Sequence, residues 1–268
     1  MPEGDTVYRL ARSLDAALAG RLVTRTDFRV PAIATVDLAG DPFHSVASRG
    51  KHLLMRIGEW VVHSHLKMEG EWRLFAAGER WRRPEWQARA IIEVPSITAV
   101  GFDLGTLEVF AADEEQPRLA HLGPDLLGSD WNADEAIRRI AAAPDLAIAV
   151  ALGEQRNLAG LGNVYVNELC FLRGILPTRP VVEVDLEPLV RLAARVIRAN
   201  RDRAVRATTG DTHRGRQLWV YGRGGEPCRR CGTRIAHGSL GRNAVEQRES
   251  WWCPNCQRPR AAGPPEIS

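Results

Sequence analysis

Lysine is almost missing from this chain. Of 36 basic residues, 34 are arginine and two are lysine, Lys51 and Lys67. Guanidinium serves wherever a fixed positive charge suffices. A lysine surviving that bias is therefore a candidate for work that needs a compact ammonium, a mobile proton or a titratable amine. Long apolar runs are missing too. None approaches the ~18 residues of a membrane helix, and the opening MPEGDTVYRL carries no hydrophobic signal core, which leads us to expect a soluble intracellular protein with no membrane partner. Cysteine is scarce, five in 268 residues, yet four of the five fall within 228–256. In a reducing compartment that crowding points to a metal rather than to disulfides.

The net charge is only +3, but it is unevenly spread. Residues 191–260 hold 16 Arg, no Lys and five acids, a local net of +11, whereas residues 1–190 carry a net of −7. A basic lobe on an acidic one is the usual layout of a protein that grips a phosphate backbone. A solvated arginine-rich helix would give the same count.

At 29.7 kDa the chain has room for about two folded units. Residues 3–20 predict an amphipathic helix, with Val7, Leu10, Leu14 and Leu18 on one face and Gly20 ending it. From about 21 to 111 the pattern changes to short β-type runs: 22–30, 43–48, 52–57, 60–65, 71–75, 90–94, 97–103 and 107–110. Such a series suggests a β-sandwich or barrel. Residues 118–130 read as a loop and hinge. Helices are expected at 133–142, capped by Asn132, and at 145–152, 164–172 and 187–203; the Gly160–Gly162 turn suits a helix–turn–helix connection. No internal repeat is present.

Cys228-x2-Cys231 and Cys253-x2-Cys256, 21 residues apart, are two knuckles able to place four sulfurs on one tetrahedral ion, with a β-hairpin between them. A four-sulfur sphere is closed, so one structural zinc ion is the expected cofactor, folding the module without taking part in chemistry. His237, between the pairs, reads as a surface residue, and Cys170 as a buried small apolar one. Arg234, Arg242 and Arg248 on the hairpin are placed to reach phosphates or simply to be solvated.

Met1-Pro2-Glu3-Gly4 opens the chain. Initiator Met is normally removed before Pro, which would leave Pro2 a free secondary amine. An α-amine has an unperturbed pKa of about 7.7–8, so part of it is neutral and nucleophilic near pH 7. Condensed with a sugar aldehyde carbon, it gives a cationic iminium, a strong electron sink, and Glu3 stands beside it as acid or base. An ordinary helix start would also look like this.

MPEG, SRGKHLL (48–54), HSHLKMEG (63–70), HLGPDLL (121–127), NLAGLGNVYVNELCFLRGILP (157–177), WVYGRGGEPCRRCG (219–232) and QRESWWC (247–253) together resemble the formamidopyrimidine-DNA glycosylase / endonuclease VIII family, in order, over residues 2–258. The resemblance implies an α+β fold: an N-terminal β-sandwich catalytic domain with flanking helices (2–125), a hinge (126–132), a helix–two-turn–helix DNA-binding domain (133–218), a zinc-finger β-hairpin (219–260) and a disordered tail (261–268). It implies a monomeric base-excision repair enzyme, cytoplasmic or nucleoid-associated in a bacterium, acting on double-stranded DNA that holds oxidised bases or abasic sites in the cleft between the domains. By resemblance Pro2 is the nucleophile at C1′ and Glu3 protonates the opening deoxyribose. Lys51 contacts the phosphate near the lesion, Asn163 is a phosphate ligand, and Arg248 grips the phosphates flanking the flipped nucleotide. Elimination at C2′ and then C4′ would cut the strand on both sides.

The formamidopyrimidine branch usually carries a DPRRFG-like segment before HLGP; here the stretch reads VFAADEEQPRLAHLGP. That absence, and MPEG rather than MPEL, favour the endonuclease VIII branch and oxidised pyrimidines. An 8-oxoguanine/formamidopyrimidine-preferring enzyme and a non-catalytic binder of damaged DNA are the alternatives. Lys67, Met68 and Glu69 fall in the loop that resembles the endonuclease VIII intercalating residues. Met68 is the candidate wedge between base steps, with core packing beside a strand as its competing role. The family's second N-terminal glutamate is missing, since Asp5-Thr6 stands where Pro-Glu is usual.

Overall fold

The computed structural model describes residues 2–258, so the tail expected at 261–268, like the last two residues of the expected 219–260 module, lies outside the described residues. The chain divides into two compact units, residues 1–129 and 130–268.

In the first unit, α1 (Gly4–Leu18) buries Val7, Ala11, Leu14 and Leu18 along one stripe, with Leu10 at its edge. The chain leaves the helix at Gly20, whose φ of +78° is one that side-chain-bearing residues avoid. Asp15 ties α1 to the sheet beneath by accepting the Val46 N–H at 2.7 Å.

Eight strands form two four-stranded antiparallel sheets. The first sheet has the order β1 (Arg25–Phe28), β6 (Ala88–Val94), β7 (Ile97–Phe102), β5 (Glu71–Ala76). In the second, the order is β2 (Phe43–Arg49), β3 (His52–Ile57), β4 (Trp60–His65), β8 (Thr106–Ala111). This is a β-sandwich rather than a closed barrel. The strand expected over 22–30 shortens to four residues because Leu22 bridges to Pro42, leaving only 25–28 to pair with β6. Alternation sorts the second sheet cleanly. Leu53, Met55, Ile57, Val62 and Leu107 face the core, whereas His52, His63, His65 and Glu108 occupy the opposite face. Part of the segment expected to be loop folds as the short helix α2 (Glu115–Leu119), whose Arg118 guanidinium lies 4.5 Å from the Phe110 ring centre.

The second unit is helical with one hairpin. α3 (Ala133–Ala141) begins at Asn132, whose Oδ1 accepts the Glu135 N–H at 3.0 Å. α4 (Ile148–Gly153) starts three residues later than expected, because Ala147 bridges to Pro180 and the Ile148 N–H is held by the Arg179 carbonyl. Nine residues then lead to α5 (Asn163–Leu172). α6 (Leu186–Asn200) ends early, where the Asn200 side chain accepts the Ala207 N–H and donates to the Val196 carbonyl. The hairpin pairs β9 (Ala236–Leu240) with β10 (Arg248–Trp252).

α5 is buried on every side, and at its middle sits Glu168, with no exposed surface. One carboxylate oxygen accepts the Val220 and Tyr221 N–H groups at 2.8 and 2.9 Å. The other accepts the Trp219 N–H at 2.8 Å and the Thr208 hydroxyl. Sequence reasoning passed over this glutamate, for nothing in a helical pattern announces that an acid will fasten a distant loop. Glu168→Ala is expected to lower stability by about 3–5 kcal/mol, since it removes a buried carboxylate and strands three amide donors, that of Val220 buried and those of Trp219 and Tyr221 half-buried. Glu168→Gln should be nearly as harmful, because its NH2 would face donors. Urea unfolding of both variants checks this. No helix among the described residues is long and apolar enough to cross a membrane.

Candidate active site and nucleic-acid interface

Pro2 and Glu3 enter α1 from its amino end. Glu3 is the N-cap residue: its carbonyl accepts the Thr6 and Val7 N–H groups at 2.9 and 3.0 Å, and the residue is fully buried. Pro2, half-buried, precedes it. Asp5 is buried in the same first turn, 2% exposed, and accepts the Thr6 hydroxyl at 3.4 Å. Two acids therefore stand at the positive end of the helix dipole even though residue 6 is a threonine.

Lys51 sits in the tight turn between β2 and β3. Gly50, with a φ of +58°, turns the chain there, and its N–H donates to Asp125 Oδ2 at 2.8 Å. The other oxygen of that buried carboxylate accepts the Leu127 N–H at 3.0 Å. Asp125, the acid of HLGPDLL, is thus a fastener for the Lys51 turn, a role the sequence alone did not suggest.

Lys67 and Met68 occupy the turn after β4. Lys67 has a left-handed backbone, φ +55°, and donates its N–H to His65 Nδ1 at 2.9 Å. Its stem lies against Gly105, where any side chain would collide with it. Met68 is 61% exposed, which removes core packing as its role. Both lysines influence His65, whose pKa falls to about 4 through burial first and then the charges of Lys67 and Lys51. Burial, then the charges of His63, His65, His121 and Lys67, pushes His52 down to about 3. The chain's two lysines thus act on one histidine cluster.

In the second unit the structure brings Asn163 and Arg248 together. Asn163 opens α5, and its Nδ2 donates to the carbonyl of Glu249, the neighbour of Arg248, at 2.8 Å. Asn167, one turn on, accepts the Trp251 N–H at 2.7 Å, so α5 carries β10 on two side chains. Asn163, Asn167, Arg248 and Ser250 line a cavity of about 350 Å³, and Arg248 Nη1 passes over Gly153 at the end of α4. Gln155 braces the turn between the helices, accepting the Gly160 N–H and donating to the Leu161 carbonyl. Arg242 and the acids Glu154, Glu246 and Glu249 line the same cavity, so it carries charge of both signs.

Cys228, Cys231, Cys253 and Cys256 place all four sulfurs within 4.8 Å of one another. Cys228 and Cys256 are 4.0 Å apart and Cys231 and Cys253 3.4 Å, too far for a disulfide. A tetrahedral ion with bonds of about 2.3 Å would set them roughly 3.8 Å apart, so the residues fit a metal ion. His237 is exposed, outside this group, and hydrogen-bonds Glu249. Cys170 is buried, and burial pushes its thiol up to about 12, as befits an inert apolar residue.

The formamidopyrimidine-DNA glycosylase N-terminal domain family matches residues 1–115. The chain is 50% identical over 269 residues to a probable endonuclease 8 2 of Streptomyces coelicolor, covering 98% of this chain and 95% of the relative. The chain belongs to the formamidopyrimidine-DNA glycosylase / endonuclease VIII family. Another member of that family, the DNA-(apurinic or apyrimidinic site) lyase Nei2 of Mycolicibacterium smegmatis, is 51% identical over 259 residues, 96% of this chain and 99% of its own. The family fold is seen directly in a Lactococcus lactis enzyme of the formamidopyrimidine-DNA glycosylase type solved with abasic-site DNA. It superimposes with a TM-score of 0.80 at 24% identity, covering 96% of this chain and all of that one. Membership of the endonuclease VIII branch agrees with MPEG and with the missing DPRRFG-like segment.

Proposed function

We propose that this chain is a bifunctional DNA glycosylase and abasic-site lyase that removes oxidised bases, chiefly pyrimidines, from double-stranded DNA. The observation that carries the reading is the Pro2–Glu3 pair: a proline, whose nitrogen becomes a secondary amine once Met1 is removed, one residue ahead of a fully buried glutamate at a helix amino end. With Met1 removed, the Pro2 nitrogen attacks C1′ of the damaged nucleotide and Glu3 protonates the opening deoxyribose. The base leaves and an iminium joins sugar to protein. That cation acidifies first the C2′ and then the C4′ proton, so successive eliminations expel the 3′ and 5′ phosphates. Lys51, Arg248 and Asn163 hold phosphates, and Met68 enters the space beside the extruded nucleotide.

The two-unit division supports a catalytic sandwich joined to a helix–two-turn–helix and zinc-finger module. Four thiolates suit a single structural zinc ion, which would fold the hairpin and leave no open position for chemistry. Monomeric action in a bacterial cytoplasm follows from the same reading.

Borohydride trapping on duplexes bearing an abasic site, thymine glycol or 8-oxoguanine is the test. A covalent adduct mapped to Pro2 is expected, strongest on abasic and thymine glycol DNA. Stronger trapping on 8-oxoguanine would transfer the assignment to the purine-lesion branch. No adduct with any duplex, from processed protein that still binds DNA, would leave only a non-catalytic binder.

A further inference from the structure

One contact at the tip of the hairpin ties the finger to α4. The tip is the turn 241–247 between β9 and β10. Asn243 Oδ1 accepts the Val245 and Glu246 N–H groups, both at 2.9 Å, and Gly241 lies so close to the Glu246 carbonyl that no side chain would fit there. The backbone that carries Arg242 is therefore braced on both sides. Arg242 Nη2 stands 3.2 Å from Glu154 Oε2, at the end of α4. This is a charge contact without an aligned hydrogen bond. No described residue accepts a hydrogen bond from the guanidinium of Arg242 or from that of Arg248.

Both guanidiniums border the cavity that Asn163 also lines. Of its three carboxylates, Glu154 faces Arg242, Glu249 hydrogen-bonds His237, and Glu246 is exposed at the tip. A half-exposed ion pair contributes little stability. A guanidinium on a phosphate instead makes two parallel, charge-assisted hydrogen bonds, so exchange of the first contact for the second is favourable. Arg242 and Glu154 are 47% and 29% exposed, and water can therefore take up the carboxylate when the arginine leaves it.

We propose that Arg242 is a second phosphate-binding arginine of the finger, held on Glu154 in the free protein and transferred to the DNA backbone in the complex, beside the phosphate held by Arg248. Glu154 is then a restraint rather than a ligand. It keeps the guanidinium at the cavity and competes with phosphate for it. The competing role for the pair is a plain staple that fixes the tip to α4. The two roles differ in sign. A staple loses its grip whichever partner is removed, whereas neutralising a restraint frees the arginine. The proposal rests on the DNA-repair reading above.

The measurement is fluorescence anisotropy over a salt series, with zinc-loaded protein and a duplex bearing an uncleavable tetrahydrofuran abasic analogue. Arg242→Gln should bind about tenfold more weakly than wild type at about 50 mM salt. Its slope of log affinity against log salt should be shallower by about 0.9, the worth of one phosphate contact, so the deficit should shrink roughly 3–4-fold by about 200 mM. Arg242→Lys should keep the slope and lose only part of the affinity, since it retains the charge without the planar fork. Glu154→Gln should bind about threefold more tightly than wild type, the competing carboxylate being gone. An unchanged slope in Arg242→Gln, or a Glu154→Gln affinity no greater than that of wild type, would overturn the proposal and leave a staple. Hydrogen exchange in β9 and β10 checks that the variants keep the finger folded; if Arg242→Gln loses that protection, Glu154→Gln decides alone. Firm wild-type binding and Pro2 trapping alongside a failed prediction would leave the repair reading intact, whereas no wild-type binding at any salt concentration would sink both.

Discussion

Glu3→Gln should reduce excision of a thymine glycol base by about 10²–10⁴-fold, the usual worth of a positioned general acid. Cleavage of a preformed abasic site should fall by no more than about tenfold, since the leaving base there needs no acid and the sugar is already partly ring-opened. The asymmetry is the informative part. Glu3 has no exposed surface, so water is poorly placed to substitute for it. Glutamine keeps the shape of the side chain and leaves the N-cap carbonyl bonds to Thr6 and Val7 untouched. Single-turnover assays on the two substrates separate the reactions. An equal loss in both would contradict the role of Glu3 in opening the sugar, and would point instead to a general disturbance around Pro2.

Metal removal should have the largest effect on structure. The core of the hairpin is small: Phe171, Val220, Ile235 and two of the cysteines, with Trp219 and Trp251 at its edge. A cluster of that size does not order a segment rich in Gly and Arg on its own. Structural zinc in comparable modules contributes on the order of 10 kcal/mol of folding free energy. Chelation, or Cys253→Ser, is therefore expected to unfold residues 219–258 and abolish duplex binding while the β-sandwich keeps its own transition. Hydrogen exchange resolves the regions. Protection persisting in β9 and β10 after the ion is stripped would show that the hairpin folds without it.

What could be read from the sequence depended on how local each signal is. The stripe of α1, the Asn132 cap and the two cysteine knuckles are short-range patterns, and the structure places all three as expected. The alternation of β3 and β4 was legible for the same reason, and its boundaries match at both ends. The strand over 22–30 and the helix over 145–152 were misjudged because their limits are set by partners far along the chain, Pro42 and Pro180. Site residues divide in the same way. Pro2, Glu3, Lys51, Asn163 and Arg248 stand in recognisable strings, but the side chains that hold them do not. Asp125 steadies the Lys51 turn from 75 residues away, and Asn167 receives β10 across 84. No pattern read along one dimension would pair them.

Helix α5 is held at three points. Its first residue reaches the carbonyl beside Arg248, its fifth receives Trp251, and its sixth clasps residues 219–221. One buried helix is therefore the common spine for both the cysteine-rich fingertip and the strand that presents the guanidinium. A chimera that borrowed residues 219–258 from a cousin without also borrowing this spine would inherit a correctly folded tip on a misaligned handle.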